Sequence, residues 1–142
     1  MAYDDQNIFA KILRGEVPSY QVAEDAHCVA FMDVMPQSRG HALVIPRAPA
    51  ENVYDVDSDS LQQVIVMTQR VAVAAKQVFQ PAGVMIAQLN ESGAGQTVFH
   101  LHFHVIPRYA GIDLAFHARG MEDAAVLEQH AAEMRDALGL AS

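Results

Sequence analysis

Val98-Phe99-His100-Leu101-His102-Phe103-His104-Val105-Ile106 decides how this chain is to be read. Taken as a strand, with successive side chains on opposite faces, it puts His100, His102 and His104 on one face and Phe99, Leu101, Phe103 and Val105 on the other. The apolar face is that of ordinary core. The histidine face needs a chemical reason, because stacked imidazoles add little stability and each requires a hydrogen-bond partner if buried.

Three readings compete. The histidines lie partly exposed on a sheet surface without a role, or they bind a metal, or one of them is a nucleophile. Two histidines two apart on a strand can grip one zinc ion, but residues four apart lie about 13 Å apart along it, so His100 and His104 do not share a tetrahedral site. Nucleophilic catalysis accounts for all three: the central imidazole attacks, and its neighbours and the preceding loop hold charge on the group attacked. Phosphorus suits this chemistry, since neutral imidazole is a good nucleophile near pH 7 and its phosphorus adduct is labile to water. The loop Asn90-Glu91-Ser92-Gly93-Ala94-Gly95-Gln96-Thr97 has glycines for close backbone approach and reads as a phosphate cradle, or else as an ordinary hairpin connection.

Working outward, Ile8, Phe9, Ile12 and Leu13 at helical spacing, stopped by Gly15 and Pro18, predict a short helix over 5–14. Tyr20 to Glu24 and Cys28 to Asp33 read as a hairpin turned at Asp25-Ala26-His27. A turn ending at Gly40 leads into a third strand, His41 to Pro46. Ser60 with Gln63 reads as a capping box for the main helix, which Pro81 and Gly83 end. Val84 to Leu89 and Val98 to Ile106 are the last two strands. Ala124, Leu127, Ala131, Met134 and Leu138 predict a C-terminal helix. The expected fold class is α+β: one five-stranded antiparallel sheet with a short N-terminal, a long central and a C-terminal helix.

At 142 residues the chain fits one domain, and 51% hydrophobic with 18% charged residues excludes disorder. A net charge of −8 argues against long nucleic acid as partner, while leaving room for one small phosphorylated ligand. A lone Cys28, an N-terminus without the charge or apolar run of a signal peptide, and no apolar stretch near the roughly 18 residues of a membrane span point to the cytoplasm and away from membranes.

His100-Leu101-His102-Phe103-His104-Val105-Ile106 strongly resembles the signature of the histidine triad family of nucleotide-binding proteins, in particular its HINT-like bacterial branch. The resemblance extends over about residues 7–109, through Asn7-Ile8-Phe9-Ala10-Lys11-Ile12, Phe31-Met32-Asp33-Val34-Met35-Pro36-Gln37, Gly40-His41-Ala42-Leu43-Val44-Ile45-Pro46 and Asn90 to Gln96. It divides the domain, 1–142, into this core and an extension, 110–142. It implies a homodimer and a purine nucleotide as substrate. His102 would be the nucleophile, forming a nucleotidyl-histidine on the α-phosphate, with His100 and His104 orienting and assisting it and His41 close by. Asp33, otherwise a turn-starting Asp, would meet the ribose hydroxyls; Asn90, Gly95, Gln96 and Thr97 match the phosphate-binding stretch, Thr97 standing where many relatives have Ser.

The resemblance implies a hydrolase or nucleotidyl transferase acting on purine nucleoside phosphoramidates or dinucleoside polyphosphates. The alternative is a purine nucleotide-binding regulatory or scaffold protein whose slow hydrolysis is incidental. One branch of the family holds structural zinc on a Cys-x-x-Cys pair and a histidine after Ile-Pro. This chain has Asn7, Ala10 and Pro49 there, so neither metal nor cofactor is expected. His27, His117 and His130 match no role and read as surface residues.

Overall fold

The computed structural model describes residues 3–112 and 120–139. The first helix, α1, covers Ile8–Leu13 and starts at Asn7, whose side-chain oxygen accepts the Ala10 N–H at 2.9 Å. Strands β1 (Gln21–Glu24) and β2 (Cys28–Met32) form the hairpin, β3 (Ala42–Pro46) follows, and α2 runs over Ser58–Phe79. Then come β4 (Gly83–Ala87), a single 3₁₀ turn at Ser92–Ala94, β5 (Phe103–Arg108) and α3 (Ala124–Ala137). The sheet order is β1-β2-β3-β5-β4 and every pairing is antiparallel.

Alternation along the central strands explains why β2 and β3 are buried at every position. Cys28, Ala30 and Met32 of β2 and Ala42 and Val44 of β3 face α2 and α3, packing with Val64, Met67, Val71, Leu127, Ala131 and Met134. Val29, Phe31, Leu43 and Ile45 face the other way and pack with Phe9 of α1. Both faces are therefore covered, the second by one short helix whose size leaves part of that face to the histidines.

Three expectations need correction. The α2 cap is Asp57, whose carboxylate accepts the Ser60 N–H at 2.9 Å, so Ser60 is the third helical residue rather than the cap. The other end agrees with the expected stop at Pro81: the helix closes at Phe79, and Gln80 caps it in the left-handed conformation at φ 48°.

The larger difference lies at the histidine stretch. The strand begins at Phe103, five residues later than the pattern predicts, because the preceding segment bonds to the loop after β3 instead of to a strand: the Leu101 N–H goes to the Ala50 carbonyl at 2.8 Å. His100 and His102 thus precede the strand, and only His104 occupies a strand position, opposite Leu43 and Ala87. Phe99, read as core, is 36% exposed, whereas Leu101 is fully buried.

Candidate active site

His41 ends the turn that begins at Asp33. The Asp33 N–H donates to the His41 carbonyl at 2.9 Å, and Asp33 Oδ1 accepts the Met35 N–H at 2.9 Å, which closes the turn. Gly40, at φ 87°, makes the final bend with the Phe79 ring so close that a Cβ there would lie 2.6 Å from ring carbons. His41 enters on the α1 face of the sheet, the face that Leu43 and its cross-strand partner His104 share.

Backbone groups fix the tautomers of His41, His100 and His102 directly, and that of His104 through His41. A carbonyl oxygen can only accept, so His102 Nδ1, 2.7 Å from the His100 carbonyl, carries that ring's proton and leaves Nε2 as a free lone pair. His100 Nε2 donates likewise to the Pro46 carbonyl at 2.8 Å. The Gln37 N–H donates into His41 Nδ1 at 3.0 Å, which puts the His41 proton on Nε2. That proton faces His104 Nδ1 at 3.0 Å and Asp33 Oδ2 at 3.4 Å, so His104 holds its own proton on Nε2.

The rings form a continuous chain. His102 and His104 centroids lie 4.9 Å apart, His41 and His104 5.2 Å, and Phe9 stands edge-on to His102 at 4.9 Å. Burial drives all four imidazoles toward the neutral form: His41 to about 3, with His104 and His102 adding to the effect, and His100 and His104 to about 4. His102 is lowered for the same reason, the His100 carbonyl opposing. Burial raises the Asp33 carboxyl to about 6, against the pull of the Met35 amide.

The remaining predicted residues lie in the loop before the cluster. Gly95 takes φ 102° and, like Thr97, is exposed. Gln96 is buried and turned inward, its oxygen accepting the Glu91 N–H at 2.8 Å and its nitrogen donating to the Glu51 and Val98 carbonyls. Asn90 also faces inward, accepting the Val53 N–H and exchanging amide hydrogen bonds with Gln88. These two side chains hold the loop's shape through hydrogen bonds within the molecule. His27 is exposed as expected, and His117 lies outside the described residues. His130 is a correction: α3 buries it edge-on against Phe79, at 5.0 Å, where burial lowers its pKa.

Fold and site together define the class: an α+β domain whose antiparallel sheet carries a chain of neutral imidazoles on one face, entered through a glycine-containing loop. The chain belongs to the HIT domain family, whose model matches residues 14–111. It is 42% identical over 102 residues to Protein hit of Bacillus subtilis, covering 72% of this chain and 70% of that protein. It is 37% identical over 101 residues to the adenosine 5′-monophosphoramidase hnt1 of Schizosaccharomyces pombe, covering 71% and 73%. Among solved structures, a HIT-like protein of Bartonella henselae superposes with a TM-score of 0.90 at 46% identity, covering 96% of this chain and 99% of that one. A zinc-bound histidine triad family protein of Mycobacterium smegmatis does so at 0.83 and 32%, covering 94% of each.

A metal fits this site poorly. Among the described residues, ligand atoms of Asp33, His41 and His104 lie within 4.8 Å of one another, as a cation would need. Ligation at His41 Nε2, however, moves that ring's proton to Nδ1 and sets it against the Gln37 N–H, two donors facing each other at 3.0 Å. No helix among the described residues is long and apolar enough to cross a membrane.

Proposed function

We propose that the protein hydrolyses, or transfers the nucleotidyl group of, purine nucleoside 5′-phosphate derivatives whose leaving group is an amine or a second phosphate, through a covalent adduct on His102. The observation that carries this reading is the hydrogen bond from His102 Nδ1 to the His100 carbonyl, which leaves an unprotonated Nε2 on a ring held neutral by burial. The relative named as an adenosine 5′-monophosphoramidase supports the choice of substrate.

In the first step His102 Nε2 forms a bond to the α-phosphorus as the bond to the leaving group breaks. An amine leaving group takes the His104 Nε2 proton, whereas a phosphate leaves as its anion with the relay at rest and the proton of the attacking water later passing to solvent. With an amine, His104 Nδ1 takes the proton of His41, and the Asp33 carboxyl refills His41 Nε2. Water then attacks phosphorus, giving a proton to His104 Nε2; the nitrogen–phosphorus bond breaks, the relay runs backward, and the nucleoside monophosphate leaves. The backbone about Gly95 and the Thr97 hydroxyl hold the phosphate oxygens, with Asn90 and Gln96 shaping the loop. Asp33, 19% exposed at its side chain, also meets the ribose hydroxyls.

The molecule acts as a cytoplasmic homodimer without metal or cofactor. The dimer follows from the resemblance and is supported by β4, an edge strand, with Ile86 on it and Ile65, Val66 and Val73 on α2 all half exposed.

Intact-mass spectrometry of protein mixed with an adenosine phosphoramidate and quenched rapidly in mild base tests the proposal. Wild type is expected to gain one nucleotidyl group and His102→Ala none, with turnover abolished and nucleotide binding retained. Unchanged turnover in His102→Ala overturns the mechanism. Binding without consumption by wild type transfers the weight to a nucleotide-binding regulatory role.

A further inference from the structure

Tyr3 takes no part in the chemistry above, yet its hydroxyl lies 2.6 Å from His100 Nδ1. Since His100 Nε2 donates to the Pro46 carbonyl, Nδ1 is an acceptor and the tyrosine hydroxyl must donate. The same hydroxyl accepts from Asn7 Nδ2 at 2.9 Å. Asn7 is itself fixed in that orientation, because its Oδ1 caps α1 on the Ala10 N–H and its Nδ2 also donates to the Asp4 carbonyl at 2.8 Å. The polarity therefore runs one way, from Asn7 through Tyr3 to His100. His100 is fully buried with both ring nitrogens bound, and the Tyr3 ring stands edge-on to it at 5.7 Å. The His100 carbonyl is the group that receives His102 Nδ1–H.

We propose that Tyr3 is a positioning residue: by donating to His100 Nδ1 it immobilises the His100 unit whose carbonyl aims the His102 ring at phosphorus. The proposal rests on the reading of His102 as nucleophile. Without the hydroxyl a buried acceptor is left unsatisfied, and the His100 ring is free to turn or to exchange tautomers. The carbonyl below it then loses its fixed direction. Such slackening touches the attacking atom rather than the groups that hold phosphate or ribose, so it appears in kcat and not in KM. Burial raises the Tyr3 pKa, which keeps the hydroxyl a donor through the working pH range.

Two variants test this without removing a ring or a cap. Tyr3→Phe deletes only the oxygen. Asn7→Asp keeps the α1 cap but replaces the donor to Tyr3 with a carboxylate, which accepts the tyrosine hydroxyl and draws it away from His100. The measurements are steady-state kinetics on an adenosine phosphoramidate, thermal unfolding, and imidazole ¹⁵N NMR of the substrate-free protein. In both variants kcat is expected to fall about tenfold with KM held within about twofold, roughly the worth of one hydrogen bond. The His102 nitrogens, a single Nδ1–H tautomer in wild type, are expected to average toward a mixture. Wild-type kcat in both variants overturns the proposal, as does an unchanged His102 tautomer. Turnover surviving in His102→Ala removes the nucleophile reading instead, and the ¹⁵N comparison still decides whether Tyr3 holds His100 and His102.

Discussion

At the scale of single residues, backbone groups select which nitrogen of His41, His100 and His102 carries a proton, and His41 passes that selection on to His104. Because His41, His100 and His104 take up a charge only as the pH falls to about 3 to 4, these rings are neutral throughout the physiological range. Turnover of a substrate with a good leaving group, such as a dinucleoside polyphosphate, is expected to be flat from pH 8 to 6 and to fall as the pH approaches 4. An alkylamine leaving group needs a proton and draws on Asp33, whose carboxyl ionises near pH 6. Its kcat is expected to fall as the pH rises through that value, and a profile identical for both substrates rejects the relay. Asp33, His41, His102 and His104 were legible in the sequence through residue type, spacing and resemblance. The Gln37 amide and the Pro46 and His100 carbonyls were not, because every residue has these groups and only the fold aims them. Tyr3 carries no local pattern linking it to a histidine 97 positions away.

Among the elements, the sheet and its three helices follow from period-2 and helical patterning, and they form the α+β antiparallel architecture expected. The start of β5 does not, since alternation from Val98 onward imitates a strand although the Leu101 amide is claimed by the Ala50 carbonyl. Alternation reports which faces are apolar and says nothing about which carbonyl lies opposite. The turn into β3 carries the sharpest local constraint. Gly40→Ala puts a methyl group against the Phe79 ring at a positive φ, a combination expected to cost about 1–3 kcal/mol and more if the ring cannot yield. A fall in unfolding midpoint together with reduced turnover is expected, because the same turn carries His41. An unaltered midpoint would mean that the ring moves aside freely.

For the whole molecule, acid is the expected weakness. Histidines whose native pKa lies below the unfolded value near 6.5 bind fewer protons when folded, so the stability they confer is full above that value and drains away as the pH falls toward 4. Asp33, shifted upward, works the other way, its stabilising contribution being lost as the pH rises from 3.8 to about 6. Three histidines outweigh one carboxyl, and thermal unfolding at pH 5 is expected well below that at pH 7, with equal midpoints excluding the balance. Sedimentation is expected to give a dimer, and Ile86→Lys on the edge strand a monomer; a wild-type monomer would leave the exposed residues of α2 and β4 without that role.

The family match ends at residue 111, but α3 lies beyond it. Leu127, Ala131 and Met134 close the core over β1 and β2, Arg135 donates to the Gln21 carbonyl, and the Glu122 amide binds the Val34 carbonyl beside Asp33. A chain stopped at residue 111 would uncover Val22, Met32 and the back of the turn between Asp33 and His41. The span by which the family is recognised and the length that must be synthesised before the molecule can close are therefore different, and a nascent chain that has already emerged with its whole triad still waits for its last helix.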